Sequence, residues 1–324
     1  MAQHLYRLGG RTVACDRPLQ GIAAPAARGV AGEIAIRVAG EGVAAPRGRD
    51  WFHSWIPPGG SRAPQLRFAV AGNRYLLDVP RKAKFLVSMA GNEITCFPAR
   101  GLARSSFHHL LLDQALPLAL GLMGDLVLHA SAVVPGDEAF ALAGPSGRGK
   151  STLAAHLGTR GAQVLADDCL VLREVGARWL AFAFDQGIRL WQDSARAVLR
   201  GSVTGARVAA GSAKRRVLRH PGIAFRQAPA PLGAIALPQE RRPASRRAAL
   251  HRLSPREAMM ALLPQTFFFE VHGKLALRNQ FERLCALVES VPVYRLDLPA
   301  DLASLREAGD VLLAAHAAER AEFA

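Results

Sequence analysis

The chain has 324 residues, of which 50% are apolar, 21% charged and 6% aromatic. This composition is typical of a globular protein and excludes a chain that is disordered throughout. The 41 lysine and arginine residues outnumber the 26 aspartate and glutamate residues, for a formal net charge of +15. The basic residues are scattered along the chain instead of clustered, so the sequence disfavours nucleic acid as a partner.

Cysteine usage and hydropathy indicate the compartment. The four cysteines lie far apart without a C-x-x-C pair, which disfavours a zinc site and a secreted disulfide scaffold: Cys15, Cys96, Cys169 and Cys285. The opening MAQHLYRLGG lacks the charged start and apolar core of a signal peptide, and the most apolar stretch, residues 109–124, is too short to span a bilayer. We expect a cytoplasmic protein with no membrane partner.

The first third of the chain alternates short strand patterns with turn residues. The predicted strands are residues 32–40, 66–70, 74–79, 84–89 and 93–97. Residues 41–65 are rich in Gly, Pro and Arg and read as a long loop. This pattern predicts an antiparallel β-rich accessory region for substrate recognition over residues 1–104. A helix with apolar residues at helical spacing follows, over residues 105–123.

The second part, residues 105–324, has the pattern of an α/β domain. Four apolar runs of strand length lie at residues 126–134, 138–144, 162–168 and 169–174, with a helical stretch over residues 150–160. Residues 201–256 are Gly-, Pro- and Arg-rich around one clear strand and suit a mobile substrate element. The sequence leaves the oligomeric state open, a homo-oligomer included.

Residues 144–151, GPSGRGKS, satisfy the P-loop (Walker A) pattern G-x-x-x-x-G-K-[ST] in full, between an apolar strand and a helix. Glycines allow the backbone to turn its N–H groups towards phosphate oxygens, the lysine reaches the β- and γ-phosphates, and the serine hydroxyl ligates Mg²⁺. We therefore expect ATP and Mg²⁺ as cofactors. The predicted nucleotide-binding residues are Gly144, Ser146, Gly147, Arg148, Gly149, Lys150, Ser151 and Thr152.

Two aspartates and a histidine flank this motif. Asp167 and Asp168 end a strand 17 and 18 residues after Lys150, and such a pair can divide the work of holding Mg²⁺ and accepting a hydroxyl proton. A capped turn at a strand end is the alternative for these aspartates. His129 lies 15 residues before Gly144 in an otherwise apolar strand, where it is either a core residue or part of the site.

This arrangement resembles the C-terminal catalytic domain of HPr kinase/phosphorylase and the wider set of HPr-kinase-like serine kinases. In that family a histidine-bearing strand, a P-loop and an Ala-Asp-Asp strand end follow one another at the spacing seen here, and the resemblance covers residues 126–173. It implies a fold related to phosphoenolpyruvate carboxykinase and ATP-dependent transfer to a serine hydroxyl. It also implies that Asp167 accepts the proton, with His129 beside it. Asp168 then supports the metal or the orientation of the site, and Lys150 contacts the phosphates as the P-loop pattern predicts.

The sequence departs from the HPr kinases at several positions. Thr152 stands where those kinases usually have Glu, and Ala130 stands where they usually have Gly. The nearest matches to their later metal-binding motif are Asp185, Arg189 and Asp193. The opening residues 6–21 and the closing residues 291–299 are similar to HPr-kinase-like tailoring kinases that modify ribosomal peptides.

These patterns predict an ATP- and Mg-dependent serine kinase acting on a peptide or small protein. The alternatives are a small-metabolite kinase and a non-enzymatic nucleotide- or nucleic-acid-binding P-loop protein. The absence of an Asn-Lys-x-Asp motif disfavours a GTPase. Arg189, Lys214 and Arg215 are the candidate substrate-binding residues, although Lys214 and Arg215 also fit a solvated basic loop.

Overall fold

The structure, a computed structural model, describes most of the chain. The described residues are 4–19, 22, 32–40, 43–55, 65–185, 187–199, 205, 207–208, 212–240, 247–267, 274–298 and 305–322. The chain divides into two compact units. The first is Met1–Asp125 with Val208–Gly211 and Phe267–Gln280, and the second is Leu126–Arg207 with Ser212–Thr266 and Phe281–Ala324. The helical segment after residue 104, assigned by sequence to the second part, is thus grouped with the first unit.

An eight-stranded sheet forms the first unit. Its strands are β1 (His4–Leu8), β2 (Arg11–Cys15), β3 (Ile34–Val38), β4 (Arg49–Trp55), β5 (Leu66–Ala71), β6 (Arg74–Val79), β7 (Ala83–Ser88) and β8 (Glu93–Pro98). They lie in the order β1-β2-β3-β8-β7-β6-β5-β4. In β7 every second side chain is buried, which is the alternation of a sheet with one face on a core.

Two features of this sheet differ from the prediction. The region is not purely antiparallel, because β3 runs parallel to both β2 and β8. A long connection precedes β3, and such a connection permits a parallel pairing that a tight hairpin does not. Residues 41–65 are not all loop either, since β4 pairs antiparallel with β5 at the sheet edge. The aromatic residues of β4 favour a strand there.

A helical segment completes the described core of this unit. It consists of α1 (Arg104–Leu110), a π-helical turn (Leu111–Ala115) and α2 (Leu116–Leu122). Pro117 lies in the first turn of α2, where a missing N–H is tolerated. Gly91, between β7 and β8, has φ +74°, and a Cβ there would collide with the carbonyl oxygen of Ala119. Glycine therefore lets the β7–β8 turn approach α2 closely.

The second unit is a mixed α/β unit. Its strands are β9 (Leu126–Leu128), β10 (Ala130–Val134), β11 (Ala139–Ala143), β12 (Gln163–Ala166), β13 (Leu170–Val175), β14 (Arg178–Phe182), β15 (Ile188–Leu190), β16 (Arg215–Val217), β17 (Ala224–Phe225), β18 (Ala230–Pro238), β19 (Ala249–Arg252) and β20 (Val293–Asp297). The main sheet has the order β17-β12-β10-β11-β18-β14-β13-β9, with β20 joining β18 to β19. β15 and β16 pair antiparallel as a separate two-stranded sheet, called the β15–β16 hairpin here, and the long connection between them, residues 191–214, includes a helix at residues 192–199. Parallel pairings occur between β11 and β18, β12 and β17, and β18 and β20.

Helices cover both faces of this sheet, and each face has its own apolar core. The helices are α3 (Lys150–Thr159), α4 (Gln192–Leu199), α5 (Pro255–Leu262), a 3₁₀ turn (Leu263–Gln265), α6 (Lys274–Ser290) and α7 (Leu305–Glu322), and α6 belongs to this unit from residue 281 onward. On one face α3, α4 and α7 bury residues such as Leu153, Val198 and Leu312. On the other, α5 and the second half of α6 bury Leu262 and Leu287. This layering is the α/β architecture expected from the sequence.

None of the helices within the described ranges is long and apolar enough to cross a membrane.

Candidate functional site

The chain leaves the strand conformation between β9 and β10, and again between β12 and β13. These two breaks lie side by side, and they bring the predicted catalytic residues together. Leu128, at the end of β9, pairs with Leu170 of β13, whereas Ala132 of β10 pairs with Ala166 of β12. Residues 129–131 therefore lie opposite residues 167–169. His129 is thus not inside a continuous strand, as the apolar pattern of residues 126–134 had suggested, but at the junction between β9 and β10.

The P-loop motif, residues 144–151, connects β11 to α3. Its glycines Gly144, Gly147 and Gly149 have φ values of +144°, +86° and +87°, which side chains with a Cβ rarely adopt. The sequence therefore needs glycine at these positions to form the turn. Helix α3 begins at Lys150, so its unpaired N-terminal amides face the turn and favour a negatively charged group there.

The Lys150 ammonium is held by three acceptors. Its Nζ donates to the carbonyl oxygens of Gly144 at 2.6 Å and Pro145 at 3.0 Å, and lies 3.1 Å from Nε2 of His129. Burial lowers the pKa of Lys150 to about 8, although the carboxylates of Asp168 and Asp167 oppose the change. The side chain is therefore still mostly cationic at neutral pH and is positioned beside the loop.

His129 connects Lys150 to the aspartate pair. Its Nδ1 lies 3.0 Å from the carbonyl oxygen of Asp168, an acceptor only, so Nδ1 carries the proton and Nε2 accepts from Lys150. Burial, followed by the positive charge of Lys150, lowers the pKa of His129. The imidazole is therefore neutral at pH 7. Both ring nitrogens are engaged with groups other than the Asp167 carboxylate, the partner considered from the sequence.

Asp167 is buried and its carboxylate accepts several hydrogen bonds. Ser131 Oγ donates to Oδ1 at 2.6 Å and the backbone N–H of Arg189 donates to Oδ2 at 2.7 Å. Burial, followed by the charge of Asp168, raises the pKa of Asp167 to about 6, while donors that include the Ser151 hydroxyl oppose this rise. A carboxylate with a pKa near the working pH is well suited to accept a proton in a reaction.

Sequence reasoning missed Ser131. Its place in the apolar run of residues 126–134 gave no sign of a role, because alternation along one strand does not show which segment of the chain lies opposite. A serine at that place could have been identified only if the pairing of β10 with β12 were known. The pairing is a long-range property that local patterns do not carry.

Asp168 has an unusual backbone conformation, with φ +65°. Few residues other than glycine adopt this region, and aspartate is among those that tolerate it best. The conformation presents the Asp168 carbonyl to His129, and Oδ2 of the side chain accepts from Nη1 of Arg189 at 2.9 Å. Asp168 is therefore fixed at both its backbone and its carboxylate.

Arg189 was a candidate substrate residue, and the structure places its side chain among carboxylates of the protein itself. Its side chain is 5% exposed, and it pairs with Asp168 and, at 3.6 Å, with Asp185. Asp185 also pairs with Arg216. A buried arginine shared by two carboxylates holds both in place, so these contacts make Arg189 a positioning residue for Asp168.

The other two candidate substrate residues differ in their surroundings. Nη1 of Arg215 donates to the carbonyl oxygen of Gly205 at 2.9 Å, a contact within the protein backbone. Nζ of Lys214 lies 5.9 Å from the centre of the Trp191 ring, in the range of a cation–π contact.

The remaining predicted nucleotide-binding residues line the outer part of the P-loop motif. Ser146 and Gly147 are exposed at its tip. The next residue, Arg148, pairs with Glu240 at 3.0 Å. Oγ1 of Thr152 donates to Oγ of Ser194 at 3.1 Å, which ties α3 to α4.

The side chains near the P-loop motif have the donor chemistry that Mg²⁺ requires. No group of three or more His, Cys, Asp or Glu side chains is arranged to hold a metal ion in the part of the chain that the structure describes. Magnesium, however, is commonly held by one or two protein oxygens together with phosphates and water. The Ser151 hydroxyl and the Asp168 carboxylate are oxygen donors of this type and fit that mode, although Arg189 already engages one Asp168 oxygen.

Among solved structures, the chain is similar to the Hpr(Ser) kinase/phosphatase from Coxiella burnetii, with 12% sequence identity and a TM-score of 0.31. The similarity covers 60% of this chain and 97% of that chain. No protein-family profile and no curated protein matches the sequence. The Coxiella burnetii enzyme is thus a distant structural neighbour.

Proposed function

We propose that the protein is an ATP- and Mg²⁺-dependent phosphotransferase that moves the γ-phosphoryl group to a hydroxyl, with a serine of a peptide or small protein as acceptor. The observation that carries this proposal is the position and protonation of Asp167. A buried carboxylate whose pKa is raised to about 6 directly follows β12, the strand that comes after α3 in the chain, and it lies within the electrostatic range of Lys150.

The P-loop motif supplies the nucleotide site in this proposal. The positive-φ glycines and the N-terminus of α3 direct backbone N–H groups to phosphate oxygens. The Lys150 ammonium exchanges its contacts with the Gly144 and Pro145 carbonyls for contacts with the β- and γ-phosphates. Ser151 and Asp168 would hold Mg²⁺, which neutralises charge on the phosphates when it is bound.

The transfer step uses Asp167 as the general base. Asp167 accepts the proton of the acceptor hydroxyl as the hydroxyl oxygen forms a bond to the γ-phosphorus. The bond between the γ-phosphorus and the β–γ bridging oxygen breaks, and ADP leaves with that electron pair. Ser131 and the Arg189 N–H orient the carboxylate so that one oxygen lone pair is directed to the acceptor.

His129, Asp168 and Arg189 position the reacting groups. His129 spans the Lys150 ammonium and the Asp168 carbonyl, so the P-loop lysine and the aspartate pair are held in one hydrogen-bonded chain. Arg189 holds the Asp168 carboxylate by its side chain and the Asp167 carboxylate by its backbone. Rigid placement of this kind lowers the cost of reaching the reactive geometry.

A peptide acceptor is favoured by the resemblance of residues 6–21 and 291–299 to peptide-tailoring kinases. A small-metabolite kinase would use the same base and the same loop, so the two activities differ only in the acceptor. A non-enzymatic nucleotide-binding protein would not require a base at the position of Asp167. The acceptor and the turnover of ATP therefore separate the three possibilities.

The nucleotide site is tested by titrating ATP with Mg²⁺ into the wild type, Lys150→Met and the exposed first-unit control Lys82→Met. Loss of a charge-assisted contact costs about 1.5–3 kcal/mol, so Lys150→Met should weaken the affinity about 10- to 100-fold. Lys82→Met should bind like the wild type. Equal affinities in all three proteins would contradict the assignment of the P-loop motif.

The reaction is tested in the same proteins by following ADP release with serine-containing peptides and with small hydroxyl compounds. Peptide-dependent ADP release supports the proposal. Release that depends only on small hydroxyl compounds identifies a metabolite kinase and contradicts the peptide acceptor. ATP binding without acceptor-dependent turnover contradicts the phosphotransferase itself.

A further inference from the structure

Lys214 lies at the end of the hairpin that borders the site. In this hairpin Leu190, the last residue of β15, pairs with Arg215, the first residue of β16. Trp191 and Lys214 are the next residues outward on the two strands, so they lie side by side. One residue further in, Arg189 binds Asp167 through its backbone N–H and Asp168 through its side chain. The hairpin thus carries Lys214 to the edge of the aspartate pair.

The Lys214 ammonium lies near an aromatic ring. Its Nζ is 5.9 Å from the centre of the Trp191 ring, which is 51% exposed. Lys214 itself is only partly buried. A cation–π contact at an exposed ring is weak, so the ammonium can leave the ring for a stronger partner at little cost.

Lys214 also acts on the centre of the site through its charge. Burial is the largest cause of the lowered pKa of His129 and of Lys150, and the positive charge of Lys214 contributes to both. The two ammonium groups therefore approach one site from different elements, α3 and the β15–β16 hairpin. Their mutual repulsion is relieved when a multiply charged anion binds between them.

We propose that Lys214 is a catalytic residue that leaves the Trp191 ring to bind the γ-phosphoryl group of a nucleoside triphosphate. This inference rests on the proposed function and adds a residue outside the P-loop motif to it. Lys150 holds the β- and γ-phosphates from the loop side, and Lys214 reaches the γ-phosphoryl oxygens from the hairpin.

In the transfer step Lys214 stays protonated and forms no covalent bond. Its N–H groups donate to γ-phosphoryl oxygens while the bond from the acceptor oxygen to phosphorus forms and the bond to the β–γ bridging oxygen breaks. The proton of the acceptor goes to Asp167 and ADP leaves. A cation that moves with the transferred group stabilises the charge that spreads over its oxygens.

The test compares the affinities for ADP and for a non-hydrolysable ATP analogue, each with Mg²⁺, in the wild type, Lys214→Gln and the distant control Lys82→Gln. A contact to the γ-phosphoryl group predicts that Lys214→Gln weakens analogue binding about tenfold or more and leaves ADP binding within twofold. Lys214→Arg, which keeps the charge, should recover most of the analogue affinity. Equal loss for both nucleotides, or no loss for either, overturns the proposal.

Trp191 gives a second and independent readout. Its fluorescence should change when the analogue draws Lys214 away from the ring, and the change should be absent with ADP and in Lys214→Gln. The variant Trp191→Phe shows which part of the fluorescence comes from Trp191 and which part comes from the other three tryptophans. An unchanged Trp191 emission at saturating analogue overturns the inference. A wild type that binds neither nucleotide would instead contradict the proposed function, so the two failures are distinguishable.

Discussion

The Nζ atom of Lys150 lies 3.1 Å from Nε2 of His129, and this contact makes the histidine the acceptor of a hydrogen bond from the lysine of the P-loop motif. The other ring nitrogen of His129 donates to the Asp168 carbonyl. A neutral imidazole can do both, whereas a protonated imidazole would direct an N–H at an ammonium group. The relationship therefore requires His129 to remain neutral while the site is assembled.

Replacing His129 tests this positioning role. His129→Leu removes both hydrogen bonds and should lower acceptor-dependent transfer about tenfold or more, while His129→Gln, whose amide both donates and accepts, should recover part of the rate. Rates are compared at pH 7.5 for the three proteins. If His129→Leu kept full activity and only its Tm were lowered, His129 would have a purely structural role.

Because of His129, we expect the free energy of unfolding to fall in acid. Because the pKa of His129 is lowered in the folded protein, the unfolded chain takes up this proton first as the pH falls below about 6.5. The wild type should lose stability relative to His129→Gln between pH 7.5 and pH 5, as measured by thermal unfolding at each pH. Parallel changes of Tm in the two proteins would contradict the neutral, buried imidazole.

Ser131 predicts a shift in the pH–rate profile. Its hydroxyl stabilises the ionised form of Asp167, so Ser131→Ala should raise the pKa of Asp167 and move the acid limb of the profile to higher pH. The loss of this buried hydrogen bond should cost about 1–3 kcal/mol of stability. Ser290→Ala, which removes an exposed hydroxyl from the end of α6, is the control. An unmoved acid limb in Ser131→Ala would show that Ser131 does not act on the base.

The raised pKa of Asp167 predicts a cost to folding at neutral pH. The protonated carboxyl is favoured in the folded protein, so the stability that Asp167 itself contributes is fully present below its ordinary pKa of 3.8 and is lost as the pH rises from there through about 6. Since one pKa unit corresponds to about 1.4 kcal/mol, the fall amounts to about 3 kcal/mol.

Asp167→Asn lacks this titration, so the unfolding free energy at pH 7.5 minus that at pH 4, measured with urea, should be about 3 kcal/mol more negative in the wild type than in Asp167→Asn. The control Asp137→Asn changes an exposed aspartate in the turn between β10 and β11, and it should keep the wild-type difference. Identical pH dependence in the wild type and Asp167→Asn would contradict a buried base with a raised pKa.

The local parts of the site could be predicted from the sequence because each is a short motif with its own secondary structure. The apolar strand, the glycines of residues 144–149 and the helix from Lys150 follow one another directly in the chain. The strand end at Asp167 and Asp168 can also be predicted from the sequence, because an apolar run stops at two carboxylates. These features need only neighbouring residues for their recognition.

The remaining features depend on pairings between distant segments. The break at His129 and the role of Ser131 follow from the partners of β9, β10, β12 and β13, which local periodicity does not reveal. The same holds for Arg189, whose backbone reaches Asp167 from the β15–β16 hairpin. In the first unit, the parallel pairing of β3 depends on which strands flank it and not on its own alternation pattern.

The central claim is that Asp167 is the base for phosphoryl transfer from ATP to a hydroxyl. The most direct measurement is the transfer of labelled γ-phosphate from ATP, with Mg²⁺, to an array of serine-containing peptides by the wild type, Asp167→Asn and the exposed control Asp137→Asn. Loss of a general base lowers a rate by about 10²- to 10⁴-fold. We expect labelled serine with the wild type and Asp137→Asn, and a loss of that order in Asp167→Asn with ATP affinity retained. Transfer by Asp167→Asn at the wild-type rate, or no transfer by a wild type that binds ATP, would contradict it.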